Sequence, residues 1–185
     1  AFGRLAEADY PRWFLNSLLV GGWTTASVLF FDSLVGYTLA KFRFRGRMIV
    51  FVAILSTLMI PTEMLVIPWY ALARTLKWVN SYWGIMFPGM ISAFGVFLMR
   101  QFMGTMPDDL IDAARTLGSS EAGAFAKVAI PCSGQALTAG LALAWGRALG
   151  EFGATLMFAG SFRGITETVP LAIFSRFSAD FTAAL

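Results

Sequence analysis

Four stretches of this chain are almost wholly apolar: Trp13 to Ala40, Met48 to about Tyr70, Trp83 to about Phe102, and Cys132 to about Ala159. Only short polar segments separate them. At a rise of about 1.5 Å per residue, roughly 20 apolar residues cross the ~30 Å hydrocarbon layer of a bilayer. Lipid offers the backbone no hydrogen-bond partner, so each stretch must satisfy its own amides as a helix. With 57% hydrophobic and 14% charged residues, 185 residues hold more apolar sequence than one span absorbs. The expected fold class is all-α, a polytopic helical membrane protein. The chain opens at Ala1 without a Met and stops at Ala183-Ala184-Leu185, inside what reads as a starting apolar helix. A fragment is therefore expected, with four spans, the start of a fifth, and spans missing at both ends.

Charge sets the expected orientation. Lys41, Arg43, Arg45 and Arg47 lie in a seven-residue segment without an acid. By the positive-inside rule this loop is cytoplasmic. Residues 1–12 are then extracytoplasmic, residues 71–82 form an outer connection, and residues 103–131 form a second cytoplasmic loop. Residues 160–169 are again outside. Other cations add no support: Arg100, Arg115 and Lys127 fall inside, against Arg4, Arg12, Arg74, Lys77, Arg163 and Arg176 outside. Orientation rests on the one dense cluster. Trp13-Phe14 opens the first span where an interfacial aromatic pair belongs. Asp32 within that span is expected to snorkel or pair with Lys41 or Arg43 near the cytoplasmic end. Pro61 and Pro68 are expected to bend or end the second span.

Histidine is absent, which removes the commonest general base and metal ligand. The single cysteine, Cys132, forms neither an internal disulfide nor a thiolate cage and reads as a small apolar filler. No catalytic constellation and no metal site is read from the residues. A net charge of +3, with no basic run interleaved with aromatics, gives no sign of nucleic-acid binding.

The loop at 103–131 is the most informative polar segment. Pro107 suits the first position of a helix, and Asp108 and Asp109 follow beside the positive end of its dipole. Leu110, Ala113, Ala114 and Leu117 recur at helical spacing and predict one narrow apolar face. Gly118 is suited to the left-handed conformation that ends a helix, and Ser119 or Ser120 to capping the next. Pro131 marks the return to the membrane. The pattern predicts two short helices meeting at a glycine. An amphipathic loop lying on the membrane surface would be richer in Lys and Arg on its polar face.

Asp112-Ala113-Ala114, Leu117-Gly118 and Val128-x-Ile130-Pro131 together resemble the EAA loop of binding-protein-dependent ABC import permeases. Asp112 stands where that family usually has Glu, and Val128 and Ile130 stand for Ile and Leu. The resemblance implies a type I importer transmembrane domain over residues 13–185, with the loop at 103–131 as a cytoplasmic coupling element. It implies partners: a separate ABC ATPase subunit carrying ATP-Mg, a second permease copy or homologue, an extracytoplasmic solute-binding protein, and membrane lipid. It also implies alternating access driven by the ATPase, in a prokaryotic plasma membrane. Cargo is less uniform. Residues 12–114, through RWFLNS, MIPTEMLVIP, VNSYWG and SAFGVFLMRQF, resemble carbohydrate permeases. Residues 115–185, through RTLG, RALGEFGATLMFAG and ETVPLAIFSRF, resemble molybdate and related oxyanion permeases.

Arg147 and Glu151 lie four apart on the fourth span, so they share a helix face and are placed to pair. They are expected either to border the translocation path or to form a structural ion pair. Glu63 is expected near the outer mouth. No GxxxxGK[ST] occurs, so no nucleotide is cradled in that way and no cofactor is expected on this chain. The rival readings are a secondary transporter or channel acting without an ATPase, and a non-transporting membrane scaffold. Neither needs the loop between Asp112 and Pro131.

Overall fold

The computed structural model describes residues 10–150, 168–170 and 173. Its elements are α1 (Tyr10–Lys41), α2 (Arg47–Ser56), α3 (Val66–Thr75), α4 (Tyr82–Met86), α5 (Ala93–Thr105), α6 (Asp108–Thr116), α7 (Glu121–Ala124), α8 (Ile130–Cys132) and α9 (Gly134–Leu149). Among the described residues the architecture is all-helical, as the sequence predicts. Among the described residues only α1, over Pro11–Lys41, is by itself long and apolar enough to cross a membrane. Two more spans arise if Tyr82–Gly89 with Ala93–Thr105, and Glu121–Cys132 with Gly134–Leu149, each count as one broken helix. Arg47–Met59 is apolar but shorter.

The breaks have local causes. Ile60 precedes Pro61, and the proline ring disfavours helical backbone in the residue before it. Ile60 accordingly turns extended (φ −92°, ψ 115°) after a 3₁₀ turn at Thr57–Met59. Pro68 does not bend this span, because it sits in the first turn of the following helix, where its missing N–H is tolerated. The third apolar stretch is interrupted by a 3₁₀ turn at Phe87–Gly89, and α5 restarts after Ser92. Pro88-Gly89 carries that signal in the sequence.

The described residues fall into two compact units. One takes those up to Thr25, Pro61–Gly89 and those from Trp145 onward; the other takes Ala26–Ile60 and Met90–Ala144. In the first unit, Val20, Ala73, Ile85 and Met86 form the buried core, with Trp69, Trp78, Val79 and Tyr82 packed on it. Asn16 is buried there and accepts a 2.8 Å hydrogen bond from the Tyr82 hydroxyl.

In the second unit, Tyr37, Met99, Met103, Met106, Ile111, Ala124, Ala129 and Ala136 form one buried cluster. Leu39, Phe51 and Val96 form another. Close approach of α1 to α5 depends on Gly36, where an added Cβ would lie 2.5 Å from Met99 Cβ and 2.9 Å from the Arg100 backbone nitrogen. Small residues permit such contact between membrane helices. Asp32 is buried, and it pairs with neither Lys41 nor Arg43. Its Oδ1 accepts the Ser92 backbone N–H at 2.9 Å, at the cap of α5, and Oδ2 meets no hydrogen-bond partner among the described residues. A helix start inside a membrane leaves amides that need an acceptor, and Asp32 supplies one of them.

Candidate functional site

The polar loop folds as two short helical arms meeting at Gly118. α6 begins at Asp108, with Pro107 as its extended cap rather than its first helical residue, and with Asp108 and Asp109 in the first turn. It closes on Gly118 at φ +83°. The Gly118 N–H donates to Arg115 O and the Ser119 N–H to Ala114 O, both at 2.9 Å. This pair of bonds satisfies carbonyls that a helix end would otherwise leave open. Of the two candidate serines, Ser120 caps the second arm, its Oγ accepting from the Gly123 N–H at 3.1 Å. That arm runs from α7 through a wider, π-type turn at Phe125–Ala129 into α8. The chain axis then turns by 80° between Glu121–Cys132 and Gly134–Leu149.

The predicted single apolar face resolves into two. Ile111 is buried in the cluster built by Tyr37, Met103 and Met106, and Ala114, Val128 and Ile130 pack against that cluster. Leu110, Ala113 and Leu117 face outward, Leu117 being 87% exposed. Pro131 is exposed, and so is Cys132, which fills no gap. Ile111, the residue that seats α6, was missed because Leu110 and Leu117 carried the stronger periodic signal.

Ion pairs brace the arms. Arg115 donates through Nε and Nη2 to both oxygens of Glu121, at 2.8 and 3.0 Å, and through Nη1 to Asp112 Oδ1 at 2.8 Å. The bond to Arg115 holds the Glu121 carboxyl below its ordinary range, and the bonds to Glu121 and Asp112 raise the guanidinium. These groups face solvent, so the fork sets geometry more than stability. A second pairing was not legible in the sequence. Lys41, at the end of α1, donates to Asp108 Oδ1 at 2.7 Å and to Met106 O at 2.5 Å. Its hydrogen bond holds the Asp108 carboxyl below the usual value. Tyr37 and Phe125 lie with ring centroids 5.1 Å apart in the same cluster.

Arg147 sits exposed in the last turn of α9. Glu151 lies outside the described residues, as do the end of the fourth span and the start of a fifth; the Glu63 side chain is likewise outside them.

Comparison with known proteins points in one direction. The family model described as "Binding-protein-dependent transport system inner membrane component" matches residues 33–184. The arabinooligosaccharides transport system permease protein AraQ of Bacillus subtilis is 41% identical over 122 residues, covering 66% of this chain and 43% of its own. Its namesake from Halalkalibacterium halodurans is 38% identical over 130 residues, 70% of this chain and 47% of its own. The sn-glycerol-3-phosphate transport system permease protein UgpE of Shigella flexneri is 36% identical over 127 residues, 69% of this chain and 45% of its own. The chain thus spans less than half the length of the curated relatives it matches. A solved bacterial ABC transporter involved in import of the acidic polysaccharide alginate superposes with a TM-score of 0.81 at 24% identity. That match covers 95% of this chain and 61% of the other, a likeness of fold.

Proposed function

The chain belongs to the family of inner membrane components of binding-protein-dependent transport systems, and on that premise we propose that it lines the solute path of an ATP-driven importer. In this reading a separate ATPase subunit binds the two-armed loop and supplies the energy. One observation carries it: an apolar face of Leu110, Ala113 and Leu117 stands out from a loop whose other face is anchored by Ile111. Exposed leucine on a braced, polar segment outside the spans suits a protein partner better than lipid. Asp112 and the outward face form the docking surface, Gly118 sets the angle between the arms, and Ala114, Val128, Ile130 and Pro131 join the loop to the spans.

The cargo is a carbohydrate or a polyol derivative, a reading supported by the relatives named for arabinooligosaccharides and sn-glycerol-3-phosphate. No relative named above supports the oxyanion reading. A second permease subunit and an extracytoplasmic solute-binding protein complete the assembly, and Arg147 with Glu151 borders the path. The protein crosses the prokaryotic inner membrane several times, with the loop on the cytoplasmic side.

Leu117→Glu tests the docking role in the full-length permease. Leu117 makes no buried contact, so the variant should insert normally and lose its ATPase when membranes are solubilised and the permease is captured. Parental ATPase recovery with Leu117→Glu would overturn the reading.

A further inference from the structure

Lys41 belongs to the first span by sequence and to the loop by its contacts. Its side chain is only 4% exposed, although it ends in an ammonium group. A buried ammonium is tolerated where strong acceptors replace its water. Here those acceptors are Met106 O, at the cap that ends α5, and Asp108 Oδ1, in the first turn of α6. One cation therefore ties three elements at the point where the loop leaves the membrane: the end of α1, the end of α5 and the start of the first arm. Tyr37, one helical turn earlier on α1, packs in the cluster that seats Ile111 and holds Phe125 of the second arm. Two other cations of the same segment differ. Arg43 and Arg45 are exposed, which suffices for a charge that sets orientation.

We propose that Lys41 is the positioning residue that makes the first span and the loop one rigid body, so that displacement of the loop by the ATPase moves α1 directly. This rests on the coupling role proposed above. Packing of alanine, methionine and isoleucine resists compression but yields to sliding. An ammonium held by two acceptors on different elements resists both, because sliding would strand a buried charge. Asp108 is itself exposed, so the clamp is anchored in protein on the Lys41 side and reachable by solvent on the other.

The test uses the full-length permease with its ATPase in lipid vesicles and spin labels at Leu34→Cys on α1 and Ala126→Cys on the second arm. With Lys41 in place, the label distance should be the same with and without ATP and vanadate. In Lys41→Met it should broaden or split on nucleotide addition, while the ATPase stays bound, and Lys41→Arg should restore the single distance. Where Lys41→Met fails to insert, Asp108→Ala carries the same comparison from the exposed side, with partial broadening expected because Met106 O remains. An invariant distance in Lys41→Met, or in Asp108→Ala where that variant replaces it, overturns the clamp, as does a nucleotide-dependent distance in the parent. A parental permease that retains no ATPase at all overturns the coupling role itself, and the ATPase recovery separates that failure from the others.

Discussion

The ends of α6 and α3 close with the same two backbone hydrogen bonds, one cap built on glycine and the other on lysine. In the loop, Gly118 takes the left-handed position at φ +83°. At the end of α3, Lys77 takes it at φ 58°, its N–H donating to Arg74 O at 3.2 Å while the Trp78 N–H donates to Ala73 O at 2.7 Å. A side chain in that conformation costs about 1–2 kcal/mol. The next residue along the chain accounts for the difference. Trp78 packs on the cluster that buries Ala73, and its ring lies 5.1 Å from that of Phe87. The corresponding residue after Gly118 is Ser119, which brings no such packing. A cap with an apolar lock tolerates strain; a cap without one needs glycine. The α3 turn is thus held by tertiary packing. The loop is held by local backbone chemistry and ion pairs, which leaves its outward apolar residues free for a partner.

The harshest way to break this comparison is Gly118→Pro. Proline requires φ near −65° and removes the N–H that bonds Arg115 O, a combined cost of about 3 kcal/mol or more. The angle between the arms should be lost, along with ATPase recovery on the full-length permease, while α1 remains inserted. Gly118→Ala separates strain from the rest: a Cβ there meets nothing within 4 Å. Its cost should be only conformational, about 1 kcal/mol, read as roughly fivefold faster hydrogen exchange at the Ser119 amide. Full ATPase recovery with Gly118→Pro would show that the arms need no fixed angle.

Trp78→Ala attacks the other cap through its lock. Truncating a fully buried tryptophan costs about 3–5 kcal/mol, and Trp78 is half-buried, so about 2 kcal/mol is expected. With the lock gone, the strain at Lys77 is no longer offset. Exchange at the Lys77 and Trp78 amides should accelerate by more than Gly118→Ala accelerates it at Ser119. Equal acceleration would mean that the two caps share one source of stability.

These locations also mark what a reader of the sequence alone could see. Gly118, Ser120 and the first-turn aspartates were legible because caps depend on neighbours within a few residues. The break at Pro61 was legible for the same reason. Beyond that range the signals fail. Lys41 and Asp108 are 67 residues apart, and no local rule brings them together. Arg115 and Glu121 are six apart, a spacing that pairs nothing on one helix and becomes a contact only because Gly118 folds the chain back. Ile111 was hidden by the stronger periodicity of outward-facing leucines. Asp32 was expected at the cytoplasmic end, with Lys41 or Arg43, because its partner, a backbone amide exposed by the restart of α5, has no signature of its own.

Lys77→Gly is the smallest expected effect and the sharpest probe of the comparison. Glycine removes the left-handed penalty, a gain of about 1 kcal/mol, but widens the unfolded ensemble at a cost of about 0.5–1 kcal/mol. The net should fall between zero and a slight stabilisation, measured as unchanged or modestly slower exchange at the Trp78 amide. The converse exchange, Gly118→Lys, should destabilise by about 1 kcal/mol, because it adds strain where Ser119 supplies no lock. A preference for glycine that is smaller at position 77 than at position 118, for the same exchange at two identically bonded caps, would assign the difference to packing after the cap. If Lys77→Gly instead destabilised strongly, the Lys77 side chain itself would be holding the turn, and the contrast between a packed cap and a local one would fail.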